Sequence, residues 1–228
     1  MTVYSDDVDP ALVEAAEEVR AYLVALRGGA PFLSGADGRL LVSWLDAGVG
    51  VPLILAALDG AAERRRKRPA RSRLGLGSCK GEIAKLIGTH PTANLAPSAG
   101  PISWVGLAEL AHQIAALAVR PGLEDAQQAL CEALAALARS PSSAEDIEGV
   151  ARKAMAACRV YHERAWSSLE AARPTLLAEA AEELAALRDV LSEGALAAAA
   201  EELARERLRE ETPLVSARVV WDRMIGSE

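Results

Sequence analysis

Aromatic residues are scarce in this chain: one Phe, three Tyr and four Trp make up 4% of its 228 residues. None of them lies in the strongly basic stretch at residues 64–73. Proteins that bind single-stranded nucleic acid usually stack the bases on aromatic rings. The sequence therefore offers no platform for base stacking, and its core must be aliphatic.

Cysteine is almost as scarce, with Cys79, Cys131 and Cys158 the only three in the chain. An odd number of cysteines without any C-x-x-C spacing does not predict a disulfide framework or a zinc ribbon. Two of the three lie in apolar helical patterns, so we expect buried free thiols, because free cysteine behaves as a small apolar residue.

Histidine is limited to three residues, which leaves only fragments of metal sites. Glu109 and His112 form one E-x-x-H pair, whereas a di-iron helical bundle needs two such pairs. His162 has Arg159 at the position where the second glutamate would stand. Cys158 lies one helical turn before His162 and could share a soft metal with it, but no second pair is near. We expect Cys158 in the core and predict no metal and no cofactor.

Signatures of catalysis are also missing. The segment GSCKG at residues 77–81 places its serine one position too early for a G-x-S-x-G elbow. The segment GLGSCK at residues 75–80 lacks the spacing of a phosphate-binding loop and follows no strand pattern. The sequence predicts no catalytic residue and points away from an enzyme.

No apolar run approaches the roughly 18 residues of a membrane-spanning helix. The first ten residues, MTVYSDDVDP, are acidic where a signal peptide carries positive charge. We therefore expect a cytoplasmic protein without a membrane partner.

Helical periodicity, by contrast, runs through most of the chain. Leucine, alanine and valine recur at spacings of three and four residues, which places them on one helix face. One such stripe is Leu12, Ala16, Val19, Leu23 and Leu26. We predict an all-α protein with a small N-terminal helical module at residues 1–88, a linker or long loop at 89–101, and an antiparallel helical bundle at 102–228.

Several helix ends carry recognisable signals. Asp9 before Pro10 predicts a helix start, and Gly28 with Gly29 predicts its end. Ser34 followed by Asp37 resembles a capping box. The pair at residues 212–213, Thr-Pro, predicts the start of the last helix.

The most uneven feature is charge. The net charge is −7, yet the ten residues at 64–73 carry seven positive charges. Without this stretch the chain holds 18 basic and 32 acidic residues, a balance of −14. Residues 1–100 are nearly neutral, with 12 basic and 11 acidic side chains, whereas residues 101–228 hold 13 and 21. The basic stretch consists of Arg64, Arg65, Arg66, Lys67, Arg68, Arg71 and Arg73.

Such a density of positive charge favours contact with a polyanion, because binding releases counterions. Contact with phosphates is favoured over reading of bases. The alternatives are docking on an acidic partner protein, docking on the acidic second half of the same chain, and an inert solvated loop.

Residues 32–63, FLSGADGRLLVSWLDAGVGVPLILAALDGAAE, resemble the C-terminal helical module of DnaD-type bacterial replication proteins. The corresponding features are Leu33 with Ser34, a helix that ends near Trp44, a turn at Gly48, and the core pattern at residues 54–58. The aromatic segment that follows in that family is missing here. The resemblance implies that residues 64–73 help to hold DNA.

The leading hypothesis is a non-enzymatic accessory protein that contacts DNA or another polyanion through the seven basic residues. Its helical bundle would bind a partner or self-associate. The alternative is a helical scaffold or adaptor whose basic stretch docks on an acidic protein surface.

Overall fold

The structure, a computed structural model, describes residues 9–29, 32–67, 73–89, 104–139 and 147–225. Within these ranges every regular element is helical and no strand occurs, so the predicted all-α class is confirmed. The α-helices are α1 Pro10–Arg27, α2 Gly35–Asp46, α3 Val51–Lys67, α4 Lys80–Thr89, α5 Trp104–Ala115, α6 Glu124–Arg139, α7 Ile147–Ser168, α8 Arg173–Glu183, α9 Glu193–Glu210 and α10 Ala217–Met224. Short 3-10 turns precede α4 and follow α8.

The predicted start signals of α1 and α2 are confirmed. The Asp9 side chain accepts a hydrogen bond from the Ala11 amide at 2.9 Å, which satisfies one of the free amides of α1. Ser34 accepts from the Asp37 amide at 3.0 Å in the same way. The Asp37 carboxylate accepts from the Ser34 hydroxyl at 2.9 Å through Oδ2 and from the Leu76 amide at 2.9 Å through Oδ1.

Helix α3 lies at the centre of the molecule. Its first eight residues, 51–58, are all buried, which is the pattern of a helix surrounded by other helices. It packs against α1, α4, α7, α9 and α10. Ala56 and Ala57 are completely buried there, and their small side chains permit close approach of neighbouring helices.

The later helices form hairpins around this centre. α5 packs on α6, α6 on α7, and α8 on α9, while α10 returns to pack against α3, α5 and α7. Helices α8 and α2 are the least buried of the described helices, with Ala180 and Leu41 as their respective single buried residues. None of the described helices combines the length and the apolar character needed to cross a bilayer.

Helices from both predicted halves contribute to one continuous apolar core. The predicted division into module, linker and bundle stays a prediction, because residues 90–103 lie outside the described ranges. The halves are nevertheless in direct contact, with α1 against α7 and α9, and α3 against α7, α9 and α10.

The predicted start of the last helix is wrong. Helix α10 begins at Ala217, and its N-terminal capping residue is Ser216, whose hydroxyl accepts from the Val219 amide at 3.1 Å. Thr212 and Pro213 lie in the preceding turn, where the Val215 amide donates to the Thr212 carbonyl at 2.9 Å. Proline restricts φ to a value that suits both a turn and the first turn of a helix, and Pro213 lies in a turn.

Candidate nucleic-acid interface

The basic segment, defined as residues 64–73, begins where α3 leaves the core. Ala61 and Ala62 are still buried, whereas Glu63 and Arg64 are exposed. The described part of α3 ends at Lys67. The chain is described again from Arg73, which leads through Leu74 into the 3-10 turn before α4.

Arg64 pairs with an acidic residue of α4. Its guanidinium forms an ion pair with Glu82 and donates to the Ser78 carbonyl at 3.1 Å. Glu82 is mostly buried, and its second oxygen lies 3.6 Å from Arg218 Nη1 of α10. This carboxylate therefore links the first residue of the basic segment to the last helix.

Arg65 is held by a glutamate of α9. Arg65 Nε donates to Glu202 Oε1 at 3.1 Å. The other oxygen of the same carboxylate, Oε2, accepts from the Leu74 amide at 3.0 Å. One carboxylate from the second half of the chain thus binds Arg65, the second residue of the basic segment, and Leu74, the residue that follows its end.

Arg73 caps the end of α1. Its Nη2 atom donates to the carbonyls of Arg27, at 3.1 Å, and Gly28. The carbonyls at a helix C-terminus have no partner within the helix and carry the negative end of its dipole, so they favour cations. Arg73 therefore has a structural role, because its guanidinium binds the carbonyls at the end of α1.

Two arginines of α9 extend this cap to the preceding carbonyls. Arg205 Nη1 donates to the Ala25 carbonyl at 3.3 Å, and Arg209 Nη1 donates to the Leu26 carbonyl at 2.8 Å. Together with Arg73 they cover four successive carbonyls. We call Arg73, Arg205 and Arg209 the α1 cap.

Glycine at the end of α1 makes room for this cap. Gly28 and Gly29 have φ angles of 67° and 72°, which L side chains rarely adopt. A Cβ atom on Gly29 would lie 2.0 Å from Arg73 Nη2, and one on Gly28 would lie 2.0 Å from Glu201 Oε1. Gly28 and Gly29, which mark the helix end in the sequence, therefore also leave room for Arg205 and Arg73 to approach the end of α1.

Arg27 fixes the other side of the same junction. It is buried, and it donates to the Leu74 carbonyl at 2.8 Å and to the Phe32 carbonyl at 3.0 Å. Burial, reinforced by the nearby charge of Arg73, lowers the pKa of Arg27. Leu74, 1% exposed, therefore has both its amide and its carbonyl paired with charged side chains.

The predicted site residues fall into two groups. Arg64, Arg65 and Arg73 bind groups of the folded chain, and their assignment to nucleic acid stays a prediction. The side chains of Arg66 and Lys67, and all of Arg68 and Arg71, lie outside the described residues. No local pattern marks Glu202, Arg205 or Arg209 as partners, and only the glycine pair hinted at a capped helix end.

A second polar cluster binds the start of α10. Tyr22 donates to Asp59 Oδ2 at 2.8 Å, and the same oxygen accepts from the Arg218 amide at 3.2 Å. The Tyr22 hydroxyl accepts from the Ala217 amide at 3.1 Å. Burial raises the pKa of Asp59 to about 6 and also raises the pKa of Tyr22. We call Asp59 and Tyr22 the α10 cap.

Beside this cluster a cleft of about 260 Å³ opens between α3, α9 and α10, and Asp59 lines it. Its walls carry both signs of charge, including Glu63 and Glu206 against Arg209 and Arg218. Within the described ranges no group of three or more His, Cys, Asp or Glu side chains is placed to hold a metal ion. The cleft offers hydrogen bonds and charge without a recognisable catalytic arrangement.

The other candidate ligands from the sequence lie elsewhere. Cys158 is completely buried, as predicted, and burial raises the pKa of its thiol. His162 is also buried, and its Nε2 atom lies 2.7 Å from the Val215 carbonyl, to which it donates. Burial lowers the pKa of His162 to about 3, so the ring is neutral. Glu109 faces Gln113 and Arg223 at the surface.

Comparison of the chain with family models, with curated proteins and with solved structures found no match. The candidate function therefore depends on the charge and geometry of this molecule.

Proposed function

We propose that the protein is a non-enzymatic accessory protein that contacts nucleic-acid phosphates through its basic segment. Four residues, Arg66, Lys67, Arg68 and Arg71, make the contact in this proposal. The remaining three, Arg64, Arg65 and Arg73, anchor the ends of the segment.

The observation that supports this proposal most is the fixation of both ends of the segment on the folded core. Arg65 and Leu74 share the Glu202 carboxylate at 3.1 and 3.0 Å, and Arg73 caps α1. A binding segment whose ends are already fixed loses less conformational entropy when it binds. Four positive charges within the six residues 66–71 then supply the attraction to a polyanion.

The contact should be independent of sequence. The basic segment contains no aromatic residue, so base stacking is not expected. Contacts to phosphates position a protein on nucleic acid without reading it. We therefore expect similar affinities for unrelated duplexes of the same length.

A salt series tests the proposal. We expect the wild-type protein to bind a random-sequence duplex at low salt, with log K falling linearly against log salt by about 0.9 per phosphate neutralised. In the variant R66Q/K67Q/R68Q/R71Q, the slope should become shallower by up to about 3.6, since four charges are removed. Fluorescence anisotropy across the salt range measures both slopes.

The matched control removes four positive charges from exposed sites elsewhere. R39Q/R139Q/R164Q/R188Q changes the net charge by the same amount and leaves the segment intact. It should keep most of the wild-type slope. Absence of wild-type binding at low salt, or equal losses in the two variants, would refute phosphate contact by the segment.

One observation favours a second candidate, docking on an acidic protein surface. Arg64 and Arg65 already bind carboxylates of this chain, Glu82 and Glu202. Poly-glutamate is a suitable probe, because it carries carboxylates without phosphates. If poly-glutamate displaces the duplex at equal charge concentration, the adaptor function is favoured. Light scattering of the full chain tests self-association, which we propose for the acidic helices of the second half.

A further inference from the structure

We propose that the cleft between α3, α9 and α10 binds a primary ammonium group on a short alkyl stem, with Asp59 as its counter-ion. None of the described residues that line the cleft belongs to the basic segment, so this inference is independent of the proposed contact with nucleic acid. It comes from a carboxylate at the wall of the cleft that is held by neutral groups.

Asp59 is held through one of its two oxygens. Oδ2 accepts from the Tyr22 hydroxyl at 2.8 Å and from the Arg218 amide at 3.2 Å. Both donors are neutral, and Asp59 forms no ion pair with a residue of the described ranges. Because Asp59 lines the cleft, its Oδ1 atom is the oxygen that can accept from a ligand there.

The two arginines of the cleft do not neutralise this carboxylate. Arg209 forms an ion pair with Glu206. Arg218 donates through Nε to Asp222 Oδ2 at 2.9 Å. The charge of Arg209 lowers the pKa of Asp59, but burial outweighs it and leaves that pKa raised to about 6. A carboxylate that is partly desolvated without an ion partner is costly, so a cation in the cleft would stabilise its charged form.

The cleft also provides an apolar wall for a stem. Ala62, Pro213, Val215 and Val219 line it beside Asp59. Its volume of about 260 Å³ is smaller than the roughly 300–1,000 Å³ of pockets that hold drug-sized ligands. A short alkyl chain therefore fits the cleft better than a large or branched molecule.

The hydrogen bonds of Asp59 favour an ammonium over other cations. A guanidinium pairs best with both oxygens of a carboxylate, and Oδ2 already accepts two hydrogen bonds. A metal ion needs several ligands, and no group of three His, Cys, Asp or Glu in the described part of the chain is placed to hold one. An ammonium is a compact charge that can bind through Oδ1 alone.

Asp59 should be the group whose titration controls binding. The charged and titratable groups around it are Tyr22 of α1, Glu63 of α3, Cys79 of the 3-10 turn, Glu82 of α4, Cys158 of α7, Glu206, Arg209 and Glu210 of α9, and Arg218 of α10. Burial raises the pKa of the tyrosine and of both thiols, so these three groups stay protonated near neutral pH.

A titration of the ¹⁵N-labelled protein with pentylammonium chloride at pH 7 tests the site. The amide signal of Arg218 should shift, because this amide donates to Asp59. We expect a Kd of about 1 mM, which a ligand of about six heavy atoms can reach. Two probes with the same stem, 1-pentanol and pentylguanidinium, should bind roughly tenfold more weakly, because neither places a compact charge at Oδ1.

Variants assign the effect to Asp59. D59N can keep the hydrogen bonds to Oδ2 but removes the charge, and we expect it to bind pentylammonium roughly tenfold more weakly or worse. The matched control is D125N, the same change at an exposed position of α6, which should bind like wild type. V219F narrows the cleft without removing a hydrogen bond of Asp59. It should also weaken binding, and it decides the question if D59N does not fold.

The pH dependence is a further readout. Between pH 7 and pH 5 the ionised fraction of Asp59 should fall from about 90% to about 10%. The affinity of wild type for pentylammonium should therefore fall roughly tenfold, whereas that of D59N should change little.

A last probe distinguishes the two sources of such an ammonium. Nα-acetyl-lysine methylamide carries the same group on a peptide backbone. Binding at least as tight as that of pentylammonium would assign the site to a lysine side chain of a partner protein, and clearly weaker binding would assign it to a free alkylamine. The site is overturned if pentylammonium does not shift the Arg218 amide, if 1-pentanol binds as tightly, or if folded D59N binds as tightly as D125N.

Discussion

The C-terminus of α1 and the N-terminus of α10 are two buried helix ends of opposite polarity. At α1, carbonyls accept hydrogen bonds from Arg73, Arg205 and Arg209. At α10, amides donate to Asp59 and Tyr22. Each end receives the charge that complements its part of the helix dipole.

The comparison shows that the two halves of the chain cap each other. Arg205 and Arg209 belong to the second half and bind α1 of the first. Asp59 and Tyr22 belong to the first half and bind α10 of the second. Since buried backbone groups must be paired, these contacts fix the relative placement of the halves in addition to the shared apolar core.

The caps differ in how they respond to pH. A guanidinium stays protonated over the whole physiological range. The carboxyl of Asp59, whose pKa burial raises to about 6, gains or loses its proton within that range. The α10 end should therefore be sensitive to pH and the α1 end should not.

The largest effect should come from Gly28→Ala, which breaks the α1 cap. Alanine at a φ of 67° is strained, and its Cβ would displace Glu201 and Arg205. We expect a loss of about 3 kcal/mol in the free energy of unfolding, because the backbone of Gly28, at φ 67° and ψ −164°, is open essentially to glycine alone, and because the Arg205 hydrogen bond to the Ala25 carbonyl is lost. Urea denaturation measures it. Gly149→Ala in α7, where a Cβ meets nothing within 4 Å, should leave stability unchanged or slightly improved.

Asp59→Ala breaks the α10 cap and should rank second. It leaves the Tyr22 hydroxyl and the Arg218 amide without their acceptor. We expect a loss of about 2 kcal/mol at pH 7, because unpaired buried donors are costly but removal of a buried carboxylate offsets part of that cost. Thermal unfolding measures the change. A stability equal to wild type would show that water replaces the carboxylate and that the α10 cap contributes nothing.

Arg209→Met keeps most of the side-chain volume and removes the donor to the Leu26 carbonyl. A hydrogen bond from a charged group to a mostly buried carbonyl contributes about 1–2 kcal/mol, and we expect that loss. Repeating the denaturation at pH 7 and pH 5 sharpens the comparison. The charge of Arg209 also lowers the pKa of Asp59, so the cost should be smaller at pH 5, where more of Asp59 is protonated. A cost that is larger at pH 5 would contradict this coupling.

The smallest effect is the pH dependence of the α10 cap. The pKa of Asp59 is raised from 3.8 to about 6 in the folded state, so the folded state holds the proton more tightly. Its stabilisation is complete below about pH 4 and is lost as pH rises through about 6. Wild type should therefore gain about 1 kcal/mol relative to Asp59→Asn between pH 7 and pH 5. A pH-independent difference between the two would contradict the raised pKa of Asp59.

Most helices could be predicted because their signals are local. Asp9 with Pro10, Ser34 and Gly28 act on backbone groups within one turn, and each is where the sequence places it. The start of α10 was missed because Thr212 and Pro213 fit a turn as well as a helix. Only the packing of that turn, with His162 bound to the Val215 carbonyl, decides between them.

The candidate site could be predicted only in part. Charge density alone identified residues 64–73, but it could not show that Arg64, Arg65 and Arg73 bind groups of the folded chain. In the sequence, Arg65 and Arg73 are only two further positive charges. The acceptor of Arg65, Glu202, lies 137 residues later. The acceptor of Arg73, the Arg27 carbonyl, lies 46 residues earlier. Contacts at such separations leave no periodic trace in the sequence, so the role of each arginine becomes visible only in three dimensions.

The mutual capping has a consequence for synthesis on the ribosome. When the basic segment leaves the exit tunnel, α9 has not yet been translated, so neither Glu202 nor the two arginines that complete the α1 cap exist. The carbonyls at the end of α1 therefore lack Arg205 and Arg209 until more than a hundred further residues have been added. A chain stalled before residue 202 would present its positive charges without the Glu202 carboxylate that binds Arg65 and Leu74, and it would do so next to ribosomal RNA.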